Sequence, residues 1–239
     1  MIARTAAVVE PGGVLGELAC EPPLTLRQVH GDVPERCDLR LVGTAAGPLA
    51  RDDLSLSLRL RAGAQATLRA AAASLAQGDG DGTGTLSIRT DLADGADLAA
   101  DPGALIVCRG GRVDVRLELT LGTDVTLEWR ELIVLGRTGE PAGAATLRWD
   151  VTRFGQPVLR QFVDLADPAW TAWAGLTAGR RVLACALLAD PASTPHTVVA
   201  SPTAVAQRLA GQLLLVTVLS DDAVAAAQEL DDLSALARG

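Results

Sequence analysis

Leu127-Glu128-Trp129-Arg130-Glu131-Leu132-Ile133-Val134-Leu135-Gly136-Arg137-Thr138-Gly139-Glu140 decides how the chain is read. The stretch begins as an alternating strand, turns continuously apolar from Leu132 to Leu135, and breaks at two glycines. A continuous run of branched apolar residues calls for burial on both faces, which predicts a central strand covered on both sides. Gly136 and Gly139 then permit backbone angles and close approaches that larger residues resist. Arg137 and Glu140 are left at the mouth of that strand, where they can pair with each other or reach a partner.

The neighbouring sequence carries the same period. Leu54, Leu56, Leu58 and Leu60 alternate with Ser55, Ser57, Arg59 and Arg61, and Val113, Val115, Leu117, Leu119 and Leu121 alternate as strictly. Period two means one buried and one wet face. Further strand-like runs cover residues 5–9, 24–29, 38–42, 85–90, 104–108, 125–135, 144–153, 157–165 and 180–188. Turn signals such as Pro11-Gly12-Gly13, Arg109-Gly110-Gly111 and Gly122-Thr123-Asp124 separate them, and Phe154-Gly155-Gln156-Pro157 predicts a hairpin. Residues 65–72 are rich in Ala and fit strand or helix equally. Many short strands at this spacing predict an all-β sandwich, barrel or solenoid.

Helix signals come late. Ser201-Pro202 offers a favoured N-cap and first helical residue, and Gly211 a stop, so a helix is expected between them. A strand over 212–219 follows. Ser220-Asp221-Asp222 then opens a last helix, with Val224, Ala227, Leu230, Leu233 and Leu236 as its apolar stripe. The expectation is a mainly β chain forming one domain over 1–239, β-rich over 1–200 with a helical edge over 201–239.

Composition narrows the chemistry. A net charge of -8 argues against nucleic acid, where a basic face supplies most of the affinity. Lys is absent, which removes the phosphate-loop lysine, Schiff-base chemistry and a lysine base together. The N-terminal apolar run is too short for a signal peptide, and residues 213–219 are too few to span a bilayer. A cytoplasmic protein without a membrane partner is expected. Cys20, Cys37, Cys108 and Cys185 show no zinc spacing and read as small buried hydrophobes. Gly78-Asp79-Gly80-Asp81-Gly82-Thr83-Gly84 looks like a calcium loop, but the twelfth position from Asp79 is Thr90 where a bidentate Glu is needed. His30 and His196 are the available imidazoles, with no nucleophile elbow to serve. The neighbours Asp52/Asp53 and Asp221/Asp222 would point to opposite faces of an extended chain.

Three motifs in order resemble a known family. Gly47-Pro48-Leu49-Ala50-Arg51-Asp52, ahead of the leucine strand, resembles the G-P-L-G-G-D opening of UreD-type (UreH) urease accessory proteins, with Ala50 and Arg51 in place of two glycines. The strand ending Gly136-Arg137-Thr138-Gly139-Glu140 is similar to that family's G-R-x-x-G-E, and Gly155-Gln156-Pro157-Val158-Leu159 to its G-x-P-L hairpin. The resemblance spans roughly residues 35 to 220. Departures include Leu68–Leu75 where the family has a Thr- and Tyr-bearing strand, and Val216-Thr217 where many members carry V-V-R.

The resemblance implies a flattened β-helical solenoid that is not an enzyme. It implies binding to apo-urease together with UreF and the GTPase UreG, and help in passing nickel into urease. No tightly held cofactor is expected. Asp52, Glu131 and Glu140 match acidic motif positions and are the candidate oxygen ligands for nickel in transit. Gly47, Pro48, Gly136, Arg137 and Gly139 are the candidate framework positions. The competing expectation is a β-solenoid hydrolase or lyase acting on a polysaccharide, weakened by an aromatic content of 3 %.

Overall fold

The computed structural model describes residues 1–78, 81–192 and 196–238. The first strands are β1 (Ile2–Glu10), β2 (Val14–Ala19), β3 (Leu24–Val29), β4 (Arg36–Gly43), β5 (Asp53–Leu60) and β6 (Gln65–Ala70). Then come β7 (Ser74–Ala76), β8 (Gly84–Leu92), β9 (Asp97–Asp101), β10 (Ala104–Val107), β11 (Arg112–Leu121) and β12 (Thr126–Leu135). The C-terminal part holds β13 (Ala144–Arg153), β14 (Gln156–Asp164), α1 (Pro168–Ala172), β15 (Val182–Ala189), β16 (Val198–Ser201), β17 (Ala204–Arg208), β18 (Leu213–Ser220) and α2 (Ala223–Arg238).

One sheet has the order β14-β13-β11-β8-β5-β1-β2, and within it β1, β5, β8, β11 and β13 are parallel neighbours. The other runs β16-β17-β18-β15-β12-β9-β6-β4-β3, with β4, β6, β9 and β12 parallel. Parallel neighbours need a crossover. Here the crossover is a strand of the other sheet: β5 leads to β6, β8 to β9, β11 to β12. The chain thus winds into a flattened solenoid of about four turns.

Register explains why the leucines alternate. Leu56, Ile88, Leu117 and Trp149 stack as one inward row, and Leu58, Thr90, Leu119 and Val151 as the next. The second sheet contributes Leu39, Leu68, Ala100 and Trp129 to the same core. Each fully buried leucine stabilises the fold by about 1.5–3 kcal/mol. A slip of one residue would turn a whole row to solvent, so the pattern fixes the register.

β12 is a central strand, as its apolar run predicts. Ile133 and Leu135 join the core between the sheets, while Leu132 and Val134 pack outward against a second cluster that includes Leu188, Val216, Leu230 and Leu233. That second cluster is the contact between α2 and the sheet. Arg130 ties the two together, with Glu128 and Asp231 each 2.5 Å from its Nη2.

The C-terminal part corrects two expectations. Residues 202–210 form no α-helix: β16 and β17 pair antiparallel, and the Ser201 hydroxyl accepts the Thr203 amide at 3.2 Å across the turn. Proline's fixed φ serves position two of a turn as well as the first turn of a helix, so the sequence signal is ambiguous. The helical edge therefore starts at Ala223, where Asp222 caps α2 by accepting the Ala225 amide at 2.8 Å. On α2, the buried face is Ala226, Leu230, Leu233 and Ala237, while Val224 and Leu236 are 80 % and 60 % exposed. The stripe is real but rotated, because small alanines let this face lie closest to the sheet. The undecided Ala-rich stretch is strand over Gln65–Ala70. β2, β7, β9 and β16 carry no clear signal in the sequence. Among the described residues no helix is long and apolar enough to cross a membrane.

Candidate functional site

Glu131 lies on the inward side of β12, in line with Trp129 and Ile133. Across the antiparallel ladder it is paired with Cys185 of β15, which is paired in turn with Thr217 of β18. From the opposite sheet, Trp149 of β13 donates its indole N–H to Glu131 Oε2 at 2.5 Å. These groups make a small polar island at the edge of an apolar core. Burial pushes the Glu131 carboxyl up to about 7, against the opposing pull of the Trp149 hydrogen bond. The carboxyl therefore keeps its proton to a higher pH than an exposed glutamate. Beside it is a cavity of about 40 Å³ bordered by Leu56, Ile88, Val115, Leu105 and Ser74. That volume has room for a water molecule, in a lining whose polar side chains are Glu131 and Ser74.

At the end of β12 the Gly136–Glu140 turn is locked from two sides. Glu140 Oε1 accepts the Arg109 and Arg137 amides at 2.9 and 3.1 Å, and Oε2 accepts Arg137 Nε at 2.9 Å. The Arg137 guanidinium and these amides hold the Glu140 carboxyl down to about 2. Behind the turn, Arg181 donates to the carbonyls of Leu135, Arg137 and Glu140 at 2.8–3.0 Å. Gly136 has φ +82°, and a Cβ there would lie 2.5 Å from Arg181 Nη2 and 2.7 Å from the Pro141 carbonyl. Glycine is required on both counts. The pairing of Arg137 with Glu140 is the outcome here.

Asp52 closes the other motif. Its Oδ1 lies 2.6 Å from the Met1 ammonium, and its Oδ2 accepts the Leu49 amide at 2.9 Å, below a cis Gly47-Pro48 bond. Arg51, standing where the resembling motif has glycine, adopts φ +67°. Asp52 is buried while Asp53 faces out to Arg4 at 2.6 Å, so the two carboxylates do point apart. Asp221 pairs with Arg180, and Asp222 caps α2.

The structure does not bring Asp52, Glu131 and Glu140 into one site. Among the described residues no group of three His, Cys, Asp or Glu side chains is placed to hold a metal. Asp52 and Glu140 hold turns, whereas Glu131 borders a cavity. Trp149, Cys185 and Thr217 are the site's unforeseen members. Their places depend on which strands pair, and the apolar pattern carries no mark of it. Cys37, Cys108 and Cys185 are buried and Cys20 half-buried, all free thiols. Burial pushes Cys37 up to about 11 and Cys185 up to about 12. Of the glycine-rich loop, Asp79 and Gly80 lie outside the described residues, and Asp81 sits 3.8 Å from Arg51.

Comparison with known proteins agrees with the motifs. The model of the family described as UreD urease accessory protein matches residues 5–239. A urease accessory protein UreD of Parafrankia sp. is 35 % identical over 99 % of this chain and 89 % of its own length. Urease accessory protein UreD 3 of Streptomyces griseus is 33 % identical over 89 % of this chain and 86 % of its own. UreD of Frankia alni is 33 % identical over 92 % and 86 %, respectively.

Proposed function

This chain belongs to the UreD urease accessory protein family, and from that premise we propose that it is a non-enzymatic scaffold of the cytoplasm. It binds apo-urease together with UreF and the GTPase UreG, and helps nickel into the urease active site. The match over nearly the whole chain carries this reading. The missing lysine supports leaving nucleotide hydrolysis to a partner.

Nickel is cargo in this reading, so its contacts should be weak and few. Glu131 is the ligand proposed to meet it, since its carboxyl borders a small cavity while Asp52 and Glu140 are engaged in turns. Carboxylate and water suit a divalent ion that must be released, whereas clustered thiolates would retain it. Asp52 and Glu140 would join only by giving up their amide and cation partners.

The test is maturation of urease in cells that co-express its subunits, the other accessory proteins, and this chain or its variants. Wild-type protein should co-purify with apo-urease and UreF. Glu131→Ala should keep that complex and lower nickel per urease active site several-fold. Normal nickel content with the folded variant refutes the metal route. A folded wild-type chain that captures neither partner refutes the scaffold.

A further inference from the structure

A solenoid buries its inward rows only as far as there is a next coil to cover them. In the second sheet the stack continues through β15, β18, β17 and β16 and is roofed by α2. In the first sheet it stops at β14, a nine-residue edge strand. Its inward Leu159 and Val163 are half-buried, although the β13 residues they pair with, Val151 and Leu147, are buried. The core is thus less completely covered along this edge.

The surface chemistry of the same region is unusual for this chain. With four Trp, two Phe and no Tyr available, Trp129 and Trp149 go to the core. Phe154, Phe162 and Trp173, in and around the β13–β14 hairpin and α1, are instead 66 %, 59 % and 57 % exposed. Arg148 stands over the Phe162 ring at 5.8 Å and meets no carboxylate among the described residues. On a chain of net charge -8, Arg160 of this hairpin pairs with Asp150 at 3.6 Å and Arg153 donates to the Gly211 carbonyl at 2.6 Å, which leaves Arg148 as the hairpin's arginine without an ion pair among the described residues. Exposed aromatics beside arginine are the residue types that dominate protein interfaces. The opposite edge, β2, has no aromatic residue and carries Glu17.

We propose that the β14 edge docks an extended, carboxylate-bearing segment of a partner protein, which adds a strand to the first sheet. The strand's backbone pairs with the free edge, its apolar side chains cover Leu159 and Val163, and a carboxylate meets Arg148. This rests on the reading that the chain works by assembling with urease and its accessory proteins.

The experiment is amide hydrogen exchange on the full chain, alone and with purified apo-urease or the UreF protein of the same organism. Binding of Arg148→Glu/Phe162→Ser and of a β2 control, Leu18→Ser, is measured in parallel. All the changed side chains are exposed or half-exposed, and a thermal melt confirms folding. Exchange over Gln156–Asp164 should slow at least tenfold with one of the two partners. The double variant should bind that partner about 30-fold more weakly, with the control unchanged. A complex that forms with β14 unprotected, or a double variant that binds normally, overturns this inference and leaves the scaffold reading intact. Protection of β14 in the protein alone, with doubled mass by light scattering, makes a second copy the occupant and also overturns it. Wild-type protein that binds neither partner overturns both.

Discussion

Glu131→Gln should make the protein more stable at alkaline pH and leave it unchanged in acid. A carboxyl raised from 4.5 to about 7 ionises within the fold at a cost of about 3 kcal/mol, at roughly 1.4 kcal/mol per pH unit of displacement. The sign follows from proton counts. Between 4.5 and 7 the folded chain holds a proton that the unfolded chain has lost, so stability falls as pH rises through that window. It is level on either side. Glutamine keeps the volume and an acceptor for Trp149 but cannot ionise. Urea or thermal denaturation across about pH 4.5 to 8 should therefore show the two proteins diverging with pH. By about pH 8 the variant should lead by about 3 kcal/mol, or about 6–12 °C in Tm for a chain of this size. A constant difference, or one that grows toward acid, refutes the placement of Glu131. Under the proposed function the same substitution lowers nickel delivery, the trade expected where a site is kept less stable than its surroundings allow.

Three other outcomes are expected. Arg181→Ala leaves the carbonyls of Leu135, Arg137 and Glu140 without their donor and should cost about 2–3 kcal/mol in urea denaturation. Glu140→Gln should be less stable than wild type at neutral pH, because a carboxyl held down to about 2 stabilises the fold above its unfolded value. That gap should close as pH falls from 4.5 toward 2 in the same denaturation series. In thiol alkylation of the native protein, Cys185, raised from 9 to about 12, should react about a thousandfold more slowly than in denaturant. Half-buried Cys20 should react first.

The strands were legible where one face is wet, while their coiling into a solenoid was implied only by the motif resemblance. The Leu54–Leu60 and Val113–Leu121 alternations map onto β5 and β11, and the apolar run of β12 correctly announces cover on both faces. The hairpin at Phe154-Gly155 is legible too, since both residues sit at positive φ between β13 and β14. β9, with two consecutive alanines, is too short to show a period. Ser201-Pro202 misled because a turn and a helix start ask the same of proline. For the site, the motifs located each acid but not its company. Glu140 and Arg137 are close in sequence and their pairing could be read. Glu131 meets Trp149 across the gap between sheets, a contact set by how the coils stack.

A stack of parallel coils is also a schedule. β5 needs β1, which the ribosome has already made, and β8, which it has yet to make. A chain under synthesis therefore offers one growing edge in each sheet, and the strands that fit them emerge by turns. A chain diluted from denaturant offers every edge at once, and closely similar leucine strands compete for them. The order of translation is thus part of how this sequence finds its register, and β15, β18 and α2, arriving last, close the second sheet behind it.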